Sequence, residues 1–202
     1  MEKNLSLKDA IKLRRTYYSI DNKITASDSE LQDIIEFAIT NVPSAYNSQS
    51  SRIVLLLGDE HKKLWSIVME TLRKKVPADK FQSTEDKINN CFASGYGTIL
   101  FYEDQNVVKG LQSTFPSYAD KFPEYSEHTT AMHQYAIWML LREQGIGASL
   151  QHYSPIIDAE VAETWNIDSS WKLIAQMPFG NPIADPLEKS FSSLEERIKI
   201  YK

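Results

Sequence analysis

Over residues 43–52 the chain reads Pro-Ser-Ala-Tyr-Asn-Ser-Gln-Ser-Ser-Arg, and nearly every side chain is small, polar or hydrogen-bonding. Ser44, Asn47, Gln49 and Arg52 can donate or accept in several directions, the chemistry of gripping a polar ligand edge. The stretch lies between two apolar elements. Before it, Leu31, Ile34, Ile35, Ala38, Ile39 and Val42 recur at helical spacing; after it, Ile53-Val54-Leu55-Leu56-Leu57 is a continuous run suited to a buried strand. A plain connection needs only about 4–6 residues, whereas loops held by a rigid scaffold collect binding groups. Composition alone leaves both readings open, a turn-rich surface connection and a binding loop.

A second candidate is Arg14-Arg15-Thr16, at the end of a short helix over 6–13 with Leu7, Ala10 and Ile11 on one face. Guanidinium groups present planar forks of donors to phosphate or carbonyl oxygens. Two arginines at a helix C-terminus also complement the negative end of its dipole, so here too both readings stand. A third stretch, 115–125, sets Phe115, Tyr118, Phe122 and Tyr125 among Pro116 and Pro123. It reads either as a surface loop pinned by its own aromatics or as a flap on which flat molecules stack.

Other chemistries lack their patterns. The histidines are His61, His128, His133 and His152, with no His-x-x-x-His, Cys-x-x-Cys or carboxylate triplet for a metal. Gly-x-Ser-x-Gly, Gly-x-x-x-x-Gly-Lys and Gly-x-Gly-x-x-Gly are absent, which sets aside serine hydrolases, P-loops and a Rossmann dinucleotide site. A nicotinamide donor would have to bind transiently rather than in its own fold.

Length and composition frame these groups. The 202 residues suit a single domain over 1–202, and 42% hydrophobic with 24% charged residues is ordinary globular usage. A net charge of −5 without a basic tail points away from nucleic acid. The lone Cys91 cannot form an internal disulfide, the opening Met1-Glu2-Lys3-Asn4-Leu5 carries no apolar leader, and no apolar run approaches a membrane span. The expectation is a cytoplasmic protein with neither nucleic acid nor membrane as partner.

The elements that must position the candidates follow from periodicity. Ser27 and Glu30 form a capping-box start for a helix over 28–42. A helix over 60–76 turns Leu64, Trp65, Val68, Leu72 and Val76 inward and stops at Pro77. Residues 79–92 read as helical, 98–102 as a second strand, and 127–144 as the longest helix, apolar nearly all round from Tyr135 to Leu141 and ended by Gly145. Such a helix needs cover on every side, part of it from a second subunit. A short helix over 158–165 and a strand over 172–177 continue a mixed α+β order.

Pro43-Ser44-x-x-Asn47-x-Gln49, with Arg14-Arg15-Thr16, the Gly147–Pro155 region and Lys189 in the same order along the chain, resembles the nitroreductase family of FMN-dependent oxidoreductases. Gln49-Ser50-Ser51-Arg52 replaces the Gln-Pro-Trp of many members. It is closer to the branch of the yeast fatty-acid-repression-mutant protein and bacterial copper-induced nitroreductases. The resemblance implies a strand and turn over Gly147–Pro155, a glycine turn at Phe179-Gly180-Asn181-Pro182, and a central, mostly antiparallel sheet flanked by helices, in an intertwined homodimer with both flavin sites at the interface. It implies FMN contacts from Arg14, Arg15, Thr16, Pro43, Ser44, Ala45, Asn47, Gln49, Leu150, Gln151, His152, Tyr153 and Lys189. Phe191 departs from the family's second cation, so the phosphate leans on Arg14 or Arg15. The implied activity is ping-pong hydride transfer from NADH or NADPH through the flavin to nitroaromatics or quinones, in a stress response. The alternative is a flavin-binding regulatory or sensor protein with little turnover. No catalytic acid or base and no metal is implied.

Overall fold

The computed structural model describes residues 5–202; the polar opening, residues 1–4, lies outside them. Helix α1 (Leu7–Leu13) is capped by Ser6, whose hydroxyl accepts from the Asp9 N–H, and α2 (Asp28–Asn41) starts with the complete capping box of Ser27 and Glu30. Strand β2 (Ser51–Leu57) leads into α3 (Gly58–Arg73), which buries Leu64, Trp65 and Val68. A 3₁₀ turn, α4 (Phe81–Ile88) and a π-helical turn (Asn89–Ala93) occupy what periodicity reads as one helix over 79–92. Strand β3 (Gly97–Asp104) follows.

Several expectations need correction. The elements expected from periodicity omit a two-residue strand β1 (Ile20–Asp21), too short to show a period, and a helix α5 (Gln105–Thr114), capped by the Asp104 side chain, which buries a single residue, Val108. Residues 115–125 are neither a loop nor proline-broken. A 3₁₀ helix (Pro116–Lys121) runs straight into the long helix α6 (Phe122–Glu143), where Pro123 falls in the first turn and removes no hydrogen bond. Nor is α6 buried all round, since Met132 is 41% and Tyr135 45% exposed, and with Ala131 they form an apolar stripe uncovered within the protomer. Phe179-Gly180-Asn181-Pro182 is no turn; it belongs to the twelve-residue strand β5 (Trp171–Pro182). A Cβ on Gly180 would collide with the Asp21 backbone oxygen, so only glycine lets β1 lie against β5 there. Strand β4 (Gly147–Ala148) and α7 (Asp158–Thr164) complete the set.

The sheet is antiparallel in all its named pairings, in the order β1-β5-β3-β2, with β4 also on β5. β3 is buried at every residue, so both faces need cover. One face packs Leu56, Leu100, Tyr102 and Leu173 against Trp65, Val68 and Phe92; the other packs Ile99, Phe101, Ala175 and Met177 against Leu31, Ala38, Ile137 and Leu141. His61, 1% exposed, is held inside by Thr98 Oγ1 at 2.8 Å, and burial lowers its pKa to about 4.

Two measurements check this architecture. Phe101→Ala, from the middle of β3, should cost about 3–5 kcal/mol in urea unfolding, against about 1 kcal/mol for loss of the Ser27 cap in Ser27→Ala. Because the folded pKa of His61 lies below its unfolded value, the unfolded chain binds the extra proton. His61 therefore destabilises the fold as pH falls through about 6.5 toward 4, by roughly 3 kcal/mol in total, with no further loss below. His61→Gln should flatten the pH dependence of the urea midpoint in that window.

Candidate functional site

The loop before β2 is held in an unusual backbone shape. Tyr46, Asn47 and Gln49 all take positive φ, at 58°, 51° and 49°, a conformation costing about 1–2 kcal/mol per side-chain-bearing residue. Several contacts impose it. Ser44 Oγ accepts from the Gln49 N–H at 2.9 Å, and Arg52 Nη1 donates to the Gln49 carbonyl at 2.7 Å. The Tyr46 ring packs on Phe115 and Phe122, centroids 4.9 and 5.3 Å away, so the aromatic stretch and the loop meet. Pro43, Asn47 and Gln49 are left exposed.

Directly behind the loop lies a network that motif reading missed. Glu103, fully buried at the end of β3, accepts hydroxyl hydrogen bonds from Ser50, Ser51 and Thr130. His133 sits beside them, with Nδ1 3.0 Å from the Thr129 carbonyl and 3.3 Å from Ser51 Oγ. Burial pulls the His133 pKa below that of free imidazole, opposed by the Thr129 carbonyl and the Glu103 charge. Adjacent strand residues normally point to opposite faces; Ser50 and Ser51 both reach one carboxylate, so Glu103 fixes the twist with which the chain leaves Gln49. The available signal was an acid directly after a buried apolar strand, where a charge needs partners.

The second group lies elsewhere. Arg14 caps α1 and stacks its guanidinium over Trp138, 4.5 Å from the centroid, while Arg15 donates through Nη2 to the Leu187 carbonyl. That bond ties down the chain beyond β5 two residues before Lys189, whose ammonium lies 5.0 Å over the Phe191 ring. Thr16 bridges in parallel to Ala148, the last residue of β4 and the one directly before the 149–153 segment. There Gln151 pairs with Gln176 on the free side of β5, its N–H donating to the Gln176 carbonyl at 2.7 Å, and the Tyr153 N–H donates to Gln176 Oε1 at 2.8 Å. Leu150 packs on the sheet, the Gln151 amide donates to Ser149, and His152 is exposed. The Tyr153 ring turns inward against Trp65 and Phe92, where burial raises its pKa.

The two groups face different regions of the protomer. Tyr46 packs on Phe122 at the start of α6 and Arg14 on Trp138, 16 residues further along it, a rise of about 24 Å. Thr16 is set against Ala148, Arg15 against Leu187 and Arg14 against Trp138, whereas the loop of Pro43, Ser44, Ala45, Asn47 and Gln49 meets the start of α6 through Tyr46. Among the described residues no cluster of His, Cys, Asp or Glu is placed to hold a metal ion, and no helix is long and apolar enough to cross a membrane.

The Glu103 network is open to direct test. Glu103→Leu leaves three buried hydroxyls without their acceptor, each costing about 1–3 kcal/mol. Urea denaturation should show a loss of about 3 kcal/mol or more, and Glu103→Gln, which keeps one acceptor oxygen, should lose less.

Comparison with known proteins is consistent with this architecture. Residues 11–181 match the model of the nitroreductase family. HBN1 of Saccharomyces cerevisiae is 34% identical over 182 residues, covering 88% of this chain and 89% of its own, and the nitroreductase FRM2 of the same yeast is 30% identical over 185 residues, covering 91% of each. Among solved structures, the nitroreductase CinD of Lactococcus lactis, crystallised with nicotinic acid, chloramphenicol or 4-nitrophenol, is 38% identical. It superposes with a TM-score of 0.89 in the nicotinic acid complex, over 98% of this chain and 100% of that one. An FMN complex from Exiguobacterium sibiricum, 13% identical with a TM-score of 0.71 over 99% of both chains, shares the fold. With the family model matched over residues 11–181 and two yeast relatives aligned along most of its length, the chain is a member of the nitroreductase family.

Proposed function

We propose that the protein is an FMN-dependent oxidoreductase that works as a homodimer, taking electrons from NADH or NADPH and passing them to small aromatic acceptors, nitro compounds or quinones. The observation that carries this reading is the division of the polar groups into two sets about 24 Å apart along α6. One mononucleotide cannot bridge that distance within a protomer, whereas two protomers packed together can each lend one set to a shared site.

The donor set fits the group. Arg14 and Arg15, with Lys189 held nearby through the Arg15–Leu187 bond, supply cations for a phosphate. Thr16 adds a hydroxyl. The N–H groups of Gln151 and Tyr153 are already used by Gln176, so the backbone donors that remain for a ring edge are those of Leu150 and His152. Ser44, Ala45, Asn47 and Gln49, with Pro43 at the loop entrance, would approach from the second copy, where Asn and Gln amides suit the polar edge of a heterocycle. The flavin supplies the hydride chemistry when bound; these residues orient it and set its surroundings.

Surface chemistry supports the dimer. The α6 stripe of Ala131, Met132 and Tyr135 is exposed, α1 leaves Leu7 and Ile11 exposed, and among the described residues β2 has no strand neighbour on its outer edge. Beyond β5, Ile183, Leu187, Phe191, Leu194, Ile198, Ile200 and Tyr201 are each more than half exposed. An apolar arm of that length belongs against another surface, and obligate interfaces commonly bury about 2,000 Å² or more.

The protein should purify yellow, release FMN rather than FAD on denaturation, and sediment as a dimer at low micromolar concentration. Arg14→Ala or Arg15→Ala should weaken FMN binding by roughly 30- to several-thousand-fold, the consequence of losing about 2–5 kcal/mol when one half of a partly buried charge pair is removed. Flavin fluorescence titration reads this directly, and wild-type affinity in both variants would overturn the anchor. Flavin-loaded dimer that oxidises NAD(P)H no faster with an acceptor than without one would shift the reading to the regulatory alternative.

A further inference from the structure

Next to the Gln49 loop, between α2, β2 and α6, is a cavity of about 360 Å³. Ile39 and Ile53, from the α2 and α6 side of the sheet, supply apolar lining, Trp171 adds an indole at the sheet end, and Gln49, Ser51 and His133 supply polar lining. Volume is ample for a single ring, since an apolar cavity of about 150 Å³ already admits benzene.

The hydrogen-bond directions around His133 decide what such a ring must carry. The Thr129 carbonyl can only accept, so His133 Nδ1 bears the proton and donates to it. Ser51 gives its own proton to Glu103, so its oxygen also faces Nδ1 as an acceptor. The other nitrogen, Nε2, is therefore a bare acceptor, and it has no hydrogen-bond partner among the described residues although the side chain is only 3% exposed. Because His133 lines the cavity and Nδ1 is used internally, Nε2 is the ring nitrogen that a ligand there can reach. The carboxylate behind Ser51 polarises the chain of donors toward itself and makes Nε2 a better acceptor.

Anions are poorly suited to the same space. Arg52 spends Nη2 on Asp104 at 2.9 Å and Nη1 on the Gln49 and Ser51 carbonyls, and Glu36 contributes a carboxylate to the lining. The ligand that satisfies every wall is neutral, flat and apolar on its faces, with one hydrogen-bond donor at its edge.

We propose that this cavity is a binding subsite for a small phenol, whose ring packs against Ile39 and Ile53 and whose O–H donates to His133 Nε2. Its standing as an acceptor or product subsite rests on the flavin reading, because Ser44 and Gln49 serve both; the binding itself does not. Isothermal titration calorimetry of the protein as purified, with phenol and with its methyl ether anisole as probes, tests it. Phenol should bind saturably at one per chain and anisole about ten-fold more weakly, the worth of one hydrogen bond. His133→Phe, which keeps a ring but no acceptor, should remove the discrimination between the two. Ile39→Trp, on the partly exposed side of α2, should weaken both by filling the space without touching the network. Equal affinities of the native protein for phenol and anisole, no saturable binding, or phenol affinity unchanged in Ile39→Trp would overturn the proposal. Absorbance reads flavin content separately: colourless protein that still discriminates phenol from anisole keeps the subsite and loses the flavin assignment, and yellow protein that does not discriminate does the reverse.

Discussion

Burial of β3 on both faces is the constraint on which the rest of the structure depends. A strand with no exposed residue must have neighbours on both edges and cover above and below. β2 and β5 supply the edges; α3 with the π-helical turn covers one face, and α2 with α6 covers the other. Two cores back to back on one strand give a rigid slab, and the candidate site groups hang from its borders. The end of the strand carries the cost of this arrangement. Glu103 continues into the interior as a carboxylate, and three hydroxyls and a histidine from neighbouring elements converge on it. Without such partners a buried charge is strongly unfavourable.

That convergence links fold to function. Ser50 and Ser51 follow Gln49 directly, so the contacts that stabilise the end of β3 also set the geometry of the strained loop. At the other border the same principle recurs with a neutral group: Gln176 on β5 uses its backbone and its side-chain oxygen to hold Gln151 and Tyr153. In both places a buried polar side chain of the slab disciplines an irregular segment at its edge. Such segments can keep their shape only because the scaffold over-determines them.

The protomer also looks unfinished by its own physics. Besides single side chains such as Phe37, Tyr118 and Ile156, its exposed apolar groups include one stripe of α6, one face of α1 and one extended arm beyond β5. Sequence periodicity predicts α6 as apolar nearly all round, and within the protomer Ala131, Met132 and Tyr135 lack cover.

What the sequence determined by itself was local. Ser27 and Glu30 announced the capping box, Leu64, Trp65 and Val68 the inner face of α3, the runs around Leu55 and Leu100 the buried strands, and the motif Pro43-Ser44-x-x-Asn47-x-Gln49 the family. These are legible because helical and strand periods and cap chemistry act within a few residues. Tertiary structure alone decided the rest. α5 buries a single residue, Val108, and starts at the Asp104 cap delivered by the end of β3, and Gly180 is a strand residue rather than a turn because Asp21 comes from the other end of the chain. Glu103, Ser51, Thr130 and His133 belong to three separate elements, so no spacing along the chain betrays them. Their meeting is a consequence of strand pairing and helix packing, which depend on the burial of surfaces remote in sequence.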